Sequence, residues 1–260
     1  MYGDRREETV AYVATGQGVA TVRISGDQVG RFGLAHRCQA RDVVTTDGAV
    51  VVATDEDVLV GPDSFEGLEF GPATAVGLDG SDGVLAADEH GRVARSNDGE
   101  WTTLGTVGAV RAIADGFVAA ADGCYRVEDD GLASAGLDAV RDVASSEGIP
   151  LAATDDGLYR LGNGWLRERE GAFTVVAAGD DHAHAATADA LFERDGDDWR
   201  AVDLPVADSV VGVDYGECVY AVTESGTFLV DADPETTADG AGGWRSRSLG
   251  LPDVTALAVA

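Results

Sequence analysis

The amino-acid sequence predicts an all-β fold: a seven-bladed β-propeller with four antiparallel strands per blade, its ring closed by the C-terminal strand pairing in the first blade. Three recurrences carry this expectation. A short hairpin motif returns seven times, a segment rich in Ala, Val and Gly accompanies each copy, and an aromatic residue follows most hairpins at one repeat position.

The hairpin is clearest in "AATDDGLYRL" from Ala152, two apolar pieces joined by a Thr-Asp-Asp-Gly turn. Its other copies are "VATGQGVATVRI" from Val13, "VATDEDVLV" from Val52, "AADEHGRVARS" from Ala86, "AAADGCYRV" from Ala119, "AATADALFER" from Ala185 and "AVTESGTFLV" from Ala221. Gly18, Gly91, Gly123, Gly157 and Gly226 share one turn position. That pattern fits a type I turn closed by a left-handed residue, where Gly has no Cβ to clash.

The second element comprises "ARDVVTT" from Ala40, "ATAVGLD" from Ala73, "AVRAIAD" from Ala109, "AVRDVAS" from Ala139, "AFTVVAAG" from Ala172, "SVVGVDYG" from Ser209 and "VTALAVA" from Val254. Small apolar residues without clean alternation predict strands covered on both faces. The third element begins at Trp101, Trp165, Trp199 and Trp244, with Phe65 standing in for Trp in "DSFEGLEF". All four tryptophans therefore fall at one repeat position. Each unit reads as strands A (small residues), B and C (the hairpin) and D (aromatic start), and four strands per roughly 40 residues is a propeller period. The chain opens on a B strand and ends on an unpartnered A strand, so the last residues should enter blade 1. This predicts one domain over 1–260: blade 1 from 9–35 plus 254–260, then 40–71, 73–106, 109–137, 139–170, 172–205 and 209–251.

The hairpin "ATDDGLYR" resembles repeats of two-component-regulator-type propellers. The C–D turns resemble degraded Asp-box hairpins, whose pattern is Ser-x-Asp-x-Gly-x-Thr-Trp; "SNDGEWT" from Ser96 approaches that pattern without its spacing. The whole chain resembles a family of haloarchaeal β-propeller proteins. These resemblances imply the fold and bring no activity with them. The Gly-His and Trp-Asp signatures of WD repeats are absent.

At 260 residues the chain is long enough for a substantial core. It carries 47 acidic and 18 basic residues, a formal net charge of −29, and every basic residue is Arg. A compact chain this acidic repels itself at low salt, and at 1 M salt a Debye length of about 3 Å screens that repulsion. Adaptation to high salt is the expectation. Nucleic acid is not expected as a partner, because phosphate contacts need a basic face. The three cysteines, Cys38, Cys124 and Cys218, are odd in number and lack metal-ligand spacing. No signal-peptide core opens the sequence and no apolar run approaches 18 residues, so a cytoplasmic monomer without a membrane segment is expected.

Strand direction places the B–C turns and D–A connections on one rim, here the top. The B–C turns carry many acids, Asp55, Glu56, Asp155 and Asp156 among them, read either as a cation-binding or basic-partner crown or as surface hydration. Near the start of strand A, the aligned position holds Arg41, Thr74, Arg111, Arg141, Thr174, Val211 and Thr255. Arg41, Arg111 and Arg141 would lie at the channel mouth, with His36, Arg37 and Cys38 nearby. Converging guanidinium groups suit a carboxylate or phosphate. The alternative is local ion pairing with Asp42 and Asp142. On the bottom rim, "AGDDHAHAAT" offers Asp180, Asp181 and His182 as weak metal candidates, while His184 should pack inward; no second cluster completes a ligand set.

No nucleophile elbow, P-loop, dinucleotide fingerprint or HExxH motif occurs. The expectation is a non-catalytic propeller without a cofactor that docks a protein or small ligand. Two alternatives stand beside it: a hydrolase or lactonase using a divalent cation at the channel mouth, and a sensor of an anionic metabolite. The charge balance makes one expectation directly measurable. The melting temperature should climb steeply from low to multimolar salt, and a flat dependence rejects salt adaptation.

Overall fold

A computed structural model describes residues 8–46, 48–79, 83–97, 99–146, 148–179, 182–231 and 243–260. Strands β1 (Thr9–Thr15), β2 (Gly18–Ser25) and β3 (Gln28–His36) open the chain. Blade 2 is β4 (Ala40–Thr46), β5 (Ala49–Thr54), β6 (Val58–Gly61) and β7 (Glu66–Gly67), and blade 3 is β8 (Ala75–Asp79), β9 (Gly83–Ala87), β10 (Arg92–Asn97) and β11 (Glu100–Thr106). Blade 4 is β12 (Val110–Ala114), β13 (Phe117–Ala120), β14 (Gly123–Glu128) and β15 (Gly131–Gly136). Blade 5 follows as β16 (Val140–Ser146), β17 (Ile149–Thr154), β18 (Gly157–Leu161) and β19 (Trp165–Glu170). Blade 6 is β20 (Phe173–Ala178), β21 (Ala183–Thr187), β22 (Leu191–Asp195) and β23 (Asp198–Val202), and blade 7 is β24 (Val210–Tyr215), β25 (Val219–Thr223), β26 (Thr227–Asp231) and β27 (Trp244–Ser248). The last strand, β28 (Val254–Val259), completes blade 1.

Seven four-stranded sheets result, and blade 1 has the order β28-β1-β2-β3. The molecule is a seven-bladed propeller. Its closure is antiparallel, with Ala11 opposite Val259 and Val13 opposite Leu257. The closing strand is tied on both flanks as well. Val259 donates its N–H to Asp214 of blade 7 at 2.7 Å and its carbonyl accepts from the Thr45 hydroxyl of blade 2 at 2.6 Å.

The repeated Thr-x-x-Gly turn has a physical role. The Thr15, Thr54 and Thr154 hydroxyls donate across their turns to the carbonyls of Gly18, Asp57 and Gly157 at 2.9, 2.7 and 2.8 Å. These threonines are buried, so the side chain satisfies backbone that water does not reach. The shared glycine position has more than one cause. Gly91 and Gly226 both have φ of 81°, as a left-handed turn residue requires. Gly157 is not left-handed; a Cβ there would lie 2.9 Å from the Arg169 carbonyl oxygen.

The core is distributed. Seven apolar clusters each fill one junction between neighbouring blades. The B strands supply their centre: β13 and β25 are buried along their whole length, and β5 and β17 at all but their first residue. This corrects the expectation for the A strands. They are only partly covered, because their inner side lines the central channel, as the mixed burial of β4 and β12 shows. Small residues recur on them because seven strands crowd one axis. Gly77 illustrates this, since a Cβ there would meet the Ile113 carbonyl oxygen of the next blade at 2.6 Å.

Aromatic residues at the start of the outer strands reach back to the preceding blade. The indole N–H groups of Trp101 and Trp165 donate to Leu68 and Ala135 carbonyls at 2.8 and 2.9 Å, and that of Trp199 donates to Glu168 at 2.8 Å. Trp244 packs at the junction of blades 6 and 7. Phe65 follows the same direction, stacking on His36 of blade 1 at 4.9 Å. The acidic stretch between β26 and β27, over 232–242, lies outside the described residues.

Ring closure sets a measurable contrast. Leu257, buried between blades 7 and 1, should cost about 2–5 kcal/mol when replaced by Ala. Leu166, 55% exposed on an outer strand, should change stability by less than about 0.5 kcal/mol in the same substitution. Urea unfolding midpoints of the two variants check this.

Candidate functional site

The inner strands surround a channel of about 850 Å³. A β-bulge explains the repeat position at its mouth. Pairing passes from Ala40 to Asp42, Val110 to Ala112, Val140 to Asp142, Phe173 to Val175 and Val210 to Gly212, so Arg41, Arg111, Arg141, Thr174 and Val211 are each the unpaired residue. In blade 1 the same slip passes over Thr255. Bulged residues have their side chains re-aimed out of the sheet. The recurrence of Arg and Thr there is thus a recurrence of backbone geometry.

The three arginines do not share one ligand-like focus. Arg41 donates to the Ala73 carbonyl at 3.2 Å, and Arg111 to the Val140 carbonyl of blade 5 at 3.1 Å. Arg141 pairs with Asp155 of its own B–C turn. Arg111 and Arg141 line the channel, whereas Arg41 is not among its lining residues. His36 ends β3 against Phe65, and Arg37 is exposed beside it.

The expected ion pairs of Asp42 and Asp142 with their neighbouring arginines are replaced by another arrangement. Asp42 accepts from its own neighbour Val43 at 2.9 Å and from Val76 N–H of blade 3 at 3.0 Å. Asp142 repeats this with Val143 at 2.9 Å and Val176 of blade 6 at 2.9 Å. Asp214 accepts from Tyr215 at 2.8 Å and from Val259 of blade 1 at 2.7 Å. Asp115 accepts from Ser145 N–H of blade 5 at 2.7 Å. Each carboxylate joins two blades by meeting an amide that its own sheet leaves unpaired.

These bonds stabilise the ionised form, yet enclosure dominates. Burial raises the Asp42 and Asp214 carboxyls to about 6, and Asp142 to about 7 with a further push from Asp42. Asp115 is also raised by burial.

A second polar group joins blades 6 and 7. The Tyr215 hydroxyl donates to the Ala177 carbonyl at 3.1 Å and lies 2.9 Å from His184 Nδ1. With its only proton committed, the hydroxyl must accept from His184, which assigns the ring proton to Nδ1. Burial holds His184 well down, to about 4, so the ring is neutral near pH 7. It packs inward, 2% exposed.

Of the metal candidates, His182 is half-buried, while Asp180 and Asp181 lie outside the described residues. Among the described residues no group of three or more His, Cys, Asp or Glu side chains is arranged to hold a metal ion. The cysteines are unpaired; burial raises Cys38 and Cys218 and pushes Cys124 up to about 12, leaving these thiols protonated at neutral pH. No helix among the described residues is long and apolar enough to cross a membrane.

Sequence reasoning noticed Asp42 and Asp142 only as partners for arginine, and missed Asp115, Asp214 and Tyr215. The available signal was a lone carboxylate within several of the small-residue segments, as in "ARDVV", "AVRAIAD", "AVRDVA" and "VVGVDYG". An acid in such company needs a buried partner.

Comparison with known proteins agrees with this architecture. The model of the HVO_0234-like, beta propeller family matches residues 1–260, and the chain belongs to that family. No curated protein matches the chain. Among solved structures, the WD40 β-propeller domain of Doa1 is similar with a TM-score of 0.68 and 16% identity, covering 85% of this chain and 86% of that one. The computationally designed Ika8 protein gives 0.64 and 17%, covering 98% and 88%. YCF48 bound to D1 peptide gives 0.61 and 13%, covering 80% and 82%.

The raised carboxyls set a pH dependence. In the folded ring Asp42, Asp142 and Asp214 hold protons above their ordinary value of 3.8. Their contribution to stability is therefore complete below about pH 4 and lost as pH rises through 6–7, with a slope of at most about 1.4 kcal/mol per pH unit for each group. At constant multimolar salt, unfolding free energy should fall from pH 5 to pH 8. Asp142→Asn should flatten that fall, and an unchanged slope in this variant contradicts the assignment.

Proposed function

We propose that this member of the HVO_0234-like beta propeller family is a non-catalytic scaffold, working at high salt, that docks a protein partner on its outer surface. One observation carries the reading: the charged side chains that line the channel are committed within the fold, most of them across the joints between blades. Asp42, Asp115, Asp142 and Asp214 each receive a neighbouring blade's N–H, and Arg111 is spent on a carbonyl. Arg141 is neutralised by Asp155. A group holding the fold in this way is poorly placed to exchange partners with a substrate during a reaction. The rigidity thereby obtained suits a docking surface, since a preorganised face loses little entropy on binding.

The fold offers precedent, because YCF48 carries a bound D1 peptide. That likeness is one of architecture, and the partner of this chain is a separate matter. The expected behaviour is recovery of a stoichiometric protein partner when the tagged full chain is used as bait in native extract at high salt. The purified chain should also leave a panel of lactones and esters unhydrolysed with Mg²⁺, Ca²⁺ or Zn²⁺ present. Cation-dependent turnover abolished by Asp142→Asn overturns the reading and favours the hydrolase alternative.

A further inference from the structure

We propose that the outer strand of blade 1, β3, is the docking edge, and that it takes an extended acidic peptide segment carrying apolar residues. This rests on the docking reading above and assigns it a place. With nine residues β3 is the longest strand among those described, and seven of its residues are exposed. Phe32 and Leu34, 38% and 39% exposed, are two of four large apolar side chains left open to solvent among the described residues. They lie opposite Val22 and Ala20, whose side chains enter the cluster between blades 7 and 1. Phe32 and Leu34 therefore extend that apolar junction outward to the perimeter. As an outer strand, β3 also turns alternate backbone N–H and C=O groups away from its sheet, the arrangement that accepts an added strand.

Charge selects the partner. On a chain of net charge −29, this edge carries excess positive charge. Arg23 is neutralised by Glu8 and Arg245 by Asp27. Arg31 and Arg37, both exposed, have no carboxylate within ion-pair distance among the described residues. Arg247 of blade 7 lies over the Phe32 ring, 5.1 Å from its centroid, and among the described residues donates to the carbonyls of Val29 and Gly30, the latter at 2.8 Å, and pairs with no carboxylate. Arg31 and Arg37 bracket Phe32 and Leu34 along the chain, and Arg247 lies over the Phe32 ring, so all three uncompensated guanidinium groups belong to this edge. Other outer strands present a different surface: β19, "WLRERE", pairs its charges internally, with Arg167 bonded to Glu170 and Arg160 of β18 bonded to Glu168.

A second copy of this chain fits less well. An isologous contact through β3 brings Arg31 and Arg37 of both copies to one seam, and like charges gathered there are unfavourable. A head-to-tail contact with another copy's acidic surface is heterologous and would continue into a ring or a filament rather than stop at a pair. An acidic, partly apolar strand from another protein meets both the charge and the apolar pair.

The test uses the full chain and a fluorescent peptide of alternating Glu and Val, at the lowest salt that keeps near-UV circular dichroism native. The expected result is saturable binding by anisotropy, weakened at least tenfold by the Arg31→Glu/Arg37→Glu pair and by Phe32→Ser, with the same peptide carrying Lys for Glu failing to bind. Urea midpoints like that of the parent confirm that the variants remain folded. Amide exchange should slow along β3 when the peptide is added. Equal binding by the variants, equal binding of the Lys peptide, or protection elsewhere on the ring overturns the proposal. Concentration-dependent self-association at β3 without peptide binding overturns it too. Variants that still capture the partner recovered from extract remove β3 as the edge and leave the scaffold reading standing.

Discussion

The amide groups on the inner edge of each blade set the terms for the whole ring. An innermost strand has no neighbour within its sheet on the channel side, so its outward N–H groups are an edge, and an edge inside a protein needs a partner. At four junctions among the described residues that partner is an aspartate of the preceding blade. The solution is local, repeated and directional: each acid looks forward to the next sheet. It places negative charge where water is restricted, and the protons held there are the cost of joining sheets that share no ladder.

Everything apolar is arranged around the same joints. The clusters lie between sheets rather than within one central core, so every blade depends on two neighbours. A linear array would leave two such faces bare at its ends. Pairing of β28 with β1 removes both ends, and the Asp214, Val259 and Thr45 chain of bonds carries the closing strand across to the blades on either side. The perimeter works in both directions. Indoles reach backward to the preceding blade, while Arg95, Arg169 and Arg247 reach forward to carbonyls of the next.

The architecture was legible because a propeller writes itself several times over. Seven hairpins, seven small-residue segments and a tryptophan at one phase define strand order and closure without reference to any contact. The site was less legible, for a physical reason. Arg41, Arg111 and Arg141 stood out because they share a register position, but register describes backbone, and the bulge there only aims the side chain. What the side chain meets depends on the neighbouring blade, about 30 residues away in sequence: Arg111 finds Val140 and Asp142 finds Val176. Sequence spacing within one repeat says nothing about such a partner. The edge at β3 was illegible for a related reason, since Phe32 and Leu34 in "GRFGLAH" alternate with glycine and alanine as any half-buried strand does. Their exposure follows from where blades 7 and 1 meet.

The placement of the tryptophans has an optical consequence. Trp101, Trp165, Trp199 and Trp244 sit one each at the joints between blades 2 and 3, 4 and 5, 5 and 6, and 6 and 7. The seam at which the ring is sealed, between blades 7 and 1, holds no indole, and neither do its neighbour between blades 1 and 2 or the joint between 3 and 4. Tryptophan emission is thus blind to a parting of the circle confined to that seam and brightens or shifts only once the opening has spread to a labelled joint.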